Sequence, residues 1–169
     1  MAGWDSSRDV AKRRSRPTTW PLPTCLVPGT GHGPRSLAFT SVAKLTDEQA
    51  QLFLGKNFGA VATIREDGTP HVTPVWVDYD GEHVVFNTAT GRAKWRHMRR
   101  DPRVTIEVYA QDDPYQYVTV TGIAELEESE EANRHIDKLS EKYTGNPKFQ
   151  SHRPTERRVI VRVKPERVS

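Results

Sequence analysis

The chain of 169 residues is 35% hydrophobic and 28% charged with a formal net charge of +3, which accommodates one domain with a moderate core and excludes two full ones. No run approaches the roughly 20 apolar residues of a membrane span, so no membrane role is expected. The single cysteine, Cys25, can close no internal disulfide and build no cysteine-rich metal site, which favours a reducing, cytoplasmic setting.

The positive charge is concentrated at one end. Residues 1–41 carry Arg8, Lys12, Arg13, Arg14, Arg16 and Arg35 against Asp5 and Asp9, a local charge of +4 that leaves the rest of the chain at −1. Binding a phosphate backbone needs a basic face on the folded part, so nucleic acid is not an expected partner. The same stretch holds five of the twelve prolines (Pro17, Pro21, Pro23, Pro28, Pro34) and no helical or strand period, the signature of a disordered arm. Arg13-Arg14 is followed by prolines where an export signal needs an apolar region, so no export signal is read. The composition changes so abruptly at Val42 that the expected start of the native protein lies there; N-terminal mass spectrometry checks this, and an intact Met1 or Ala2 terminus overturns it. The reading is an arm over residues 1–41 and a cofactor-binding domain over 42–169.

From Lys44 the signals become regular. Thr46-Asp47-Glu48-Gln49 fits a capping box before Leu52 and Phe53, predicting a short helix. Strands are predicted over Ala60–Ile64, His71–Tyr79 and Glu82–Asn87, separated by the Asp67-Gly68 and Asp80-Gly81 turns. A helix over Arg92–Arg100 stops at Asp101-Pro102, and Val104–Tyr109 and Tyr117–Leu126 form a further hairpin. Ala132, Ile136, Leu139 and Tyr143 make one stripe of a helix over Ser129–Tyr143 that covers a barrel mouth or a sheet face. Val159–Val163, rich in β-branched residues, closes the series. Six strands joined mainly by tight turns predict a mainly β fold with a few helices, a small antiparallel barrel whose closure removes exposed edges.

Two stretches carry candidate chemistry. In Asn87-Thr88-Ala89-Thr90-Gly91-Arg92-Ala93-Lys94 a strand ends in hydroxyls, a glycine permits close backbone approach and two cations open a helix, which can hold a phosphate. The run continues through Arg96, Arg99, Arg100 and Arg103, so a solvated basic helix explains the charge equally well. In Thr73-Pro74-Val75-Trp76-Val77 the proline removes one ladder donor, and the strand can leave backbone groups free to meet a flat ring; an edge strand with a core tryptophan is the plainer reading. The six histidines show no metal-ligand pair on one element, so no metal is expected. No nucleophile elbow, Walker loop or dinucleotide fingerprint occurs. A phosphate grip beside an apolar wall, with few acids or bases, suits a cofactor that carries the chemistry itself.

These residues resemble the pyridoxamine 5'-phosphate oxidase-like split β-barrel proteins, and more closely their actinobacterial branch of flavin and deazaflavin oxidoreductases using coenzyme F-420. The resemblance spans Lys44–Val168. It rests on Gly59–Ile64 with Asp67-Gly68 and Pro70, on Pro74–Val77, and on Gly91-Arg92-Ala93-Lys94 ending in Arg100-Asp101-Pro102-Arg103. It implies a split antiparallel β-barrel of the FMN-binding type and a homodimer with the cofactor in a groove at the interface. It further implies that Arg92 and Lys94, with Gly91, hold the cofactor phosphate, that Asn87 and Thr88 line the same pocket, and that Thr73, Pro74, Val75, Trp76 and Val77 lie along the ring. Tyr115 and Tyr117 would reach over from the partner subunit. The implied activity is hydride delivery from reduced coenzyme F-420 to a small unsaturated substrate, with His71 or Tyr117 the nearest guesses at a proton donor and no catalytic residue assigned. The ending Val163–Val168 replaces the arginine- and histidine-bearing segment that grips pyridoxal phosphate in true pyridoxamine phosphate oxidases, so the resemblance does not carry that activity over. An FMN-binding oxidoreductase, a non-catalytic cofactor carrier and a haem-handling barrel with His71 or His135 in the groove remain as alternatives.

Overall fold

The structure, a computed structural model, describes residues 43–153 and 155–169; the arm expected over residues 1–41, Cys25 included, lies outside the described residues. Thr46 caps α1 (Asp47–Leu54): its hydroxyl accepts from the Gln49 amide while the Gln49 side chain accepts from the Thr46 amide, the reciprocal box that the sequence predicts. Six strands follow, β1 (Phe58–Ile64), β2 (Pro70–Tyr79), β3 (Val84–Ala89), β4 (Arg103–Tyr109), β5 (Tyr117–Glu127) and β6 (Arg158–Val168). Helix α2 (Ala93–Arg100) lies between β3 and β4, and α3 (Glu131–Thr144) between β5 and β6. All neighbouring strands are antiparallel, and the order β1-β2-β3-β6-β5-β4 closes into a barrel.

Alternation decides what fills it. Val61, Val77, Phe86, Ile106, Val120 and Val161 are fully buried inside the barrel, and their chain neighbours point outward. Phe53 of α1 and Met98 of α2 join this core, which fixes both helices against it.

The seam between β2 and β3 is only half closed. β2 pairs with β1 from Phe58↔Trp76 to Ile64↔Pro70, but with β3 only through Val77↔Phe86, Asp78↔Val85 and Tyr79↔Val84. Beyond Val77 the strands part, while β3 stays paired with β6 as far as Ala89↔Arg158. Pro74, which brings no amide, falls in the parted stretch, where a ladder donor is not needed.

Helix α3 lies along the outside of this seam and buries Ala132, Ile136, Leu139 and Tyr143, the predicted stripe, so it covers a sheet face. Its last turn ties down the strand edge. The Tyr143 hydroxyl accepts from the Val77 amide at 3.1 Å and donates to the Asn57 carbonyl at 2.6 Å. Lys142 Nζ donates to the Phe53 and Val77 carbonyls at 2.6 and 2.7 Å.

Most boundaries shift by one or two residues from the sequence reading, and two of the differences have a visible cause. β3 begins at Val84 because the Asp80 carboxylate accepts from the Glu82 and His83 amides at 3.0 and 2.7 Å, which holds those residues in the turn. β6 runs past the expected Val163, through Pro165 to Val168, because β5 shifts register at Thr121/Gly122 and accommodates the proline. Gly122 permits this bulge: a Cβ there would collide with the Lys164 carbonyl. Gly122→Ala is therefore expected to destabilise the barrel by about 3 kcal/mol, the upper end of overpacking costs, read as a lowered midpoint in urea unfolding.

Candidate functional site

Where β2 and β3 part, the barrel wall opens into a cavity of about 280 Å³. Its apolar side is built from Pro74, Val75 and Trp76 of β2, Phe58 at the start of β1, Ile136 and Leu139 of α3, and Phe149 from the loop after α3. Trp76 is held flat. It stacks on Tyr143 with centroids 5.3 Å apart and planes 5° from parallel, and Phe149 meets it edge-on at 5.9 Å.

The other side is cationic: Arg92 and Lys94 from the entrance to α2, and Arg158 from the first position of β6. Gly91, at φ 77°, makes the turn that brings them there. The Arg92 guanidinium forks onto Glu156, Nη2 at 2.7 Å and Nε at 3.4 Å. Lys94 makes no hydrogen bond to a described residue; burial, and then the neighbouring Arg92 charge, lower its pKa to about 8. The first turn of α2 carries no acidic residue and no side-chain cap, so the partial positive charge of its amides is uncompensated. A slot bounded by tryptophan and ending in a cluster of cationic donors, of which Arg92 is paired with Glu156 and Lys94 is not, fits a planar ring that bears a phosphate.

Of the residues expected at the cofactor, Pro74, Val75, Trp76, Asn87, Arg92 and Lys94 line this one cavity. Thr73, Val77, Thr88 and Gly91 do not. Thr73 and Thr88 point inward with Val75 and Phe86, their hydroxyls enclosed without a partner among the described residues. The Val77 side chain is fully buried in the barrel and its backbone is engaged by α3. Gly91 is exposed and shapes the turn. Asn87 is held from behind, its Nδ2 donating to the Ala132 carbonyl at 2.9 Å and lying 3.3 Å from His135 Nδ1.

Neither histidine of the haem reading lines the cavity. His71 meets His97 of α2 edge-on at 5.2 Å, and His97 Nδ1 lies 3.0 Å from the Thr63 hydroxyl. Sequence reasoning did not single out Phe58, Phe149 or Arg158 for this site. No local pattern marks Arg158, and only closure of the sheet, which sets it opposite Ala89, turns that arginine towards the cavity.

The fold and this site define a split-barrel class of cofactor-binding oxidoreductase. The sequence profile of the pyridoxamine 5'-phosphate oxidase family matches residues 45–169, and the chain belongs to that family, whose barrel suits a flavin-type cofactor. Among solved structures it is similar to an F-420 reductase at 31% identity, covering 74% of this chain and 98% of that one, with a TM-score of 0.66. A conserved hypothetical protein from Mycobacterium tuberculosis matches at 30% identity over 75% of this chain and 84% of that one, TM-score 0.60. General stress protein 26 from Bacillus anthracis shares the fold at 16% identity, over 72% and 89% of the two chains, TM-score 0.53. Among the described residues no helix is long and apolar enough to cross a membrane.

Burial lowers the pKa of His135, wedged behind Asn87, to about 4. A histidine neutral in the folded state and charged above that pKa in the unfolded state lends stability that is complete above about pH 6.5 and lost as pH falls towards about 4. Urea unfolding at pH 7.0 and 4.5 is expected to differ by on the order of 2 kcal/mol from this group, and His135→Gln to remove that part of the slope.

Proposed function

We propose that this chain is a reductase that holds reduced coenzyme F-420 in the cavity at the parted seam and directs its hydride to a small, unsaturated, electron-poor substrate. One observation carries the reading: Lys94, a partly buried cation without a hydrogen-bond partner among the described residues, stands beside Arg92 and the uncapped end of α2, across the slot from Trp76. The likeness to an F-420 reductase at 31% identity favours this cofactor over FMN, which is the second candidate for the same slot.

A deazaflavin or flavin bound there supplies the hydride-transfer chemistry. The protein binds, orients and dries the site. Arg92, Lys94 and the first amides of α2 hold the phosphate. The backbone of Pro74–Trp76, unpaired on its β3 side, offers hydrogen bonds to the ring edge. Trp76 fixes the plane, while Val75, Ile136 and Leu139 exclude water. The titratable groups lining the cavity are Arg92, Lys94 and Arg158, and the proton that follows the hydride comes from solvent or from a nearby side chain.

The working unit is a homodimer in a cytoplasmic setting. The outer faces of β1, β2, β4 and β5 expose Val72 (61%), Tyr117 (56%), Phe58 and Tyr109. Large apolar side chains left exposed in this way suit a partner, and a second copy is the occupant proposed. Phe58 belongs both to this exposed set and to the cavity, so dimerisation would close the slot at its rim, with Tyr115 and Tyr117 reaching towards the partner's cofactor.

Fluorescence titration with coenzyme F-420 and, in parallel, FMN is expected to show preferential F-420 binding; preferential FMN binding transfers the reading to a flavin enzyme, and binding of neither removes it. Arg92→Ala and Lys94→Ala should each weaken binding by about 1 to 3 kcal/mol, the range for a lost charged hydrogen bond. Affinity should also fall as pH rises through about 8, where Lys94 loses its charge. Light scattering after size exclusion should give twice the chain mass, and Val72→Glu should shift it towards the monomer.

A further inference from the structure

Arg158 is the least explained charge among the described residues. Sheet closure sets it diagonally beside Asn87 on the cavity wall, and it is only 5% exposed. A guanidinium carries five donors, yet this one makes no hydrogen bond to a described residue, and its Nη2 is enclosed with no acceptor. It lies over the Phe149 ring, 4.4 Å from the centroid. Glu156 is the obvious counter-ion, but its carboxylate is already forked by Arg92. Three cations against one carboxylate leave two positive charges in excess around the cavity.

Burying a cation without a hydrogen-bonded partner works against folding. The protein keeps one here, in the wall of a cavity that already gathers cations. Phe149 covers it in a particular way. The backbone at Phe149 is pinned to α3, its amide donating to Asp137 at 2.9 Å, with Lys148 Nζ on the same carboxylate at 2.8 Å. The Phe149 side chain meets the rings of Trp76 and His152 and the Arg158 guanidinium, and packs against the Ile136, Leu139 and Tyr143 cluster of α3 without a hydrogen bond of its own. Rotation about a fixed backbone would uncover the guanidinium without moving the loop.

We propose that Arg158 is a third anion-binding residue of the cavity and that Phe149 is its gate: when the ring turns aside, the guanidinium receives a second anionic group, carboxylate or phosphate, of the ligand whose first phosphate is held by Arg92 and Lys94. This rests on the reading of the cavity as the cofactor site. Arg158 then contributes selectivity for ligands with more than one anionic group, which the Arg92–Lys94 grip alone does not supply.

The test compares wild type with Arg158→Met, near-isosteric and uncharged, with Arg158→Gln repeating the comparison if the first variant does not fold. Without ligand the variant should melt a few degrees higher, because an uncompensated buried charge is gone. Coenzyme F-420, which carries carboxylates beyond its phosphate, should bind at least tenfold more weakly to the variant, whereas FMN, with a single phosphate, should change less than threefold. Phe149→Ala should speed F-420 association in stopped-flow fluorescence. A lowered melting temperature with unchanged F-420 affinity would make Arg158 structural and overturn the proposal, as would equal losses for F-420 and FMN. If wild type binds neither cofactor, the cofactor reading itself fails; calorimetric titration with inorganic pyrophosphate then decides Arg158 separately, equal affinity in wild type and variant overturning it and a tenfold loss upholding it.

Discussion

The structure depends on one departure from regular pairing: β2 leaves β3 after Val77↔Phe86 while remaining zipped to β1. A barrel closed along its whole length would bury that stretch of backbone in ladder hydrogen bonds and leave no slot. With the strands parted, the backbone needs other partners or a ligand. Pro74 reduces that demand by one amide, and the Tyr143 hydroxyl and Lys142 ammonium meet it at Val77. The site is thus the place where the barrel stops satisfying itself.

The charges follow the same geometry. The parted end of β3 leads through Gly91 into α2, so the entrance of that helix necessarily faces the gap. Met98 seats α2 in the barrel core, which keeps Arg92 and Lys94 close to Trp76. The apolar wall and the cationic wall come from distant parts of the chain, yet both are positioned by the same core.

Much of the fold was legible locally. The Thr46–Gln49 box, the Asp-Gly turns and the stripe through Ile136, Leu139 and Tyr143 are short-range signals, and each appears where the sequence puts it. The β6 extension was not legible, because a proline in a strand is tolerated only through a bulge on its neighbour, Gly122, some forty residues away. The site was legible in the same measure. Trp76 and Arg92 stand in stretches whose residue order already hints at a ring and a phosphate. Arg158 and Phe149 reach the cavity only through sheet closure and the pinning of a loop by Asp137, and no local pattern marks them. Thr73, Val77 and Thr88 show the converse: a contiguous stretch looks like one wall, but strand alternation turns these three into the barrel, and of that inward set on β2 Val75 alone reaches the cavity as well as the core.

The role of α3 at the seam has a dynamic consequence. Lys142 and Tyr143 occupy the Val77 carbonyl and amide that a neighbouring strand would ordinarily pair, so the last turn of a helix acts as a surrogate strand. Amide hydrogen exchange at Val77 should accordingly report opening of α3 and not of the barrel, and the slot and helix should open together as one subglobal unit. Fraying at Gly145, more than sixty residues away in sequence, would then be felt first where the ring is held.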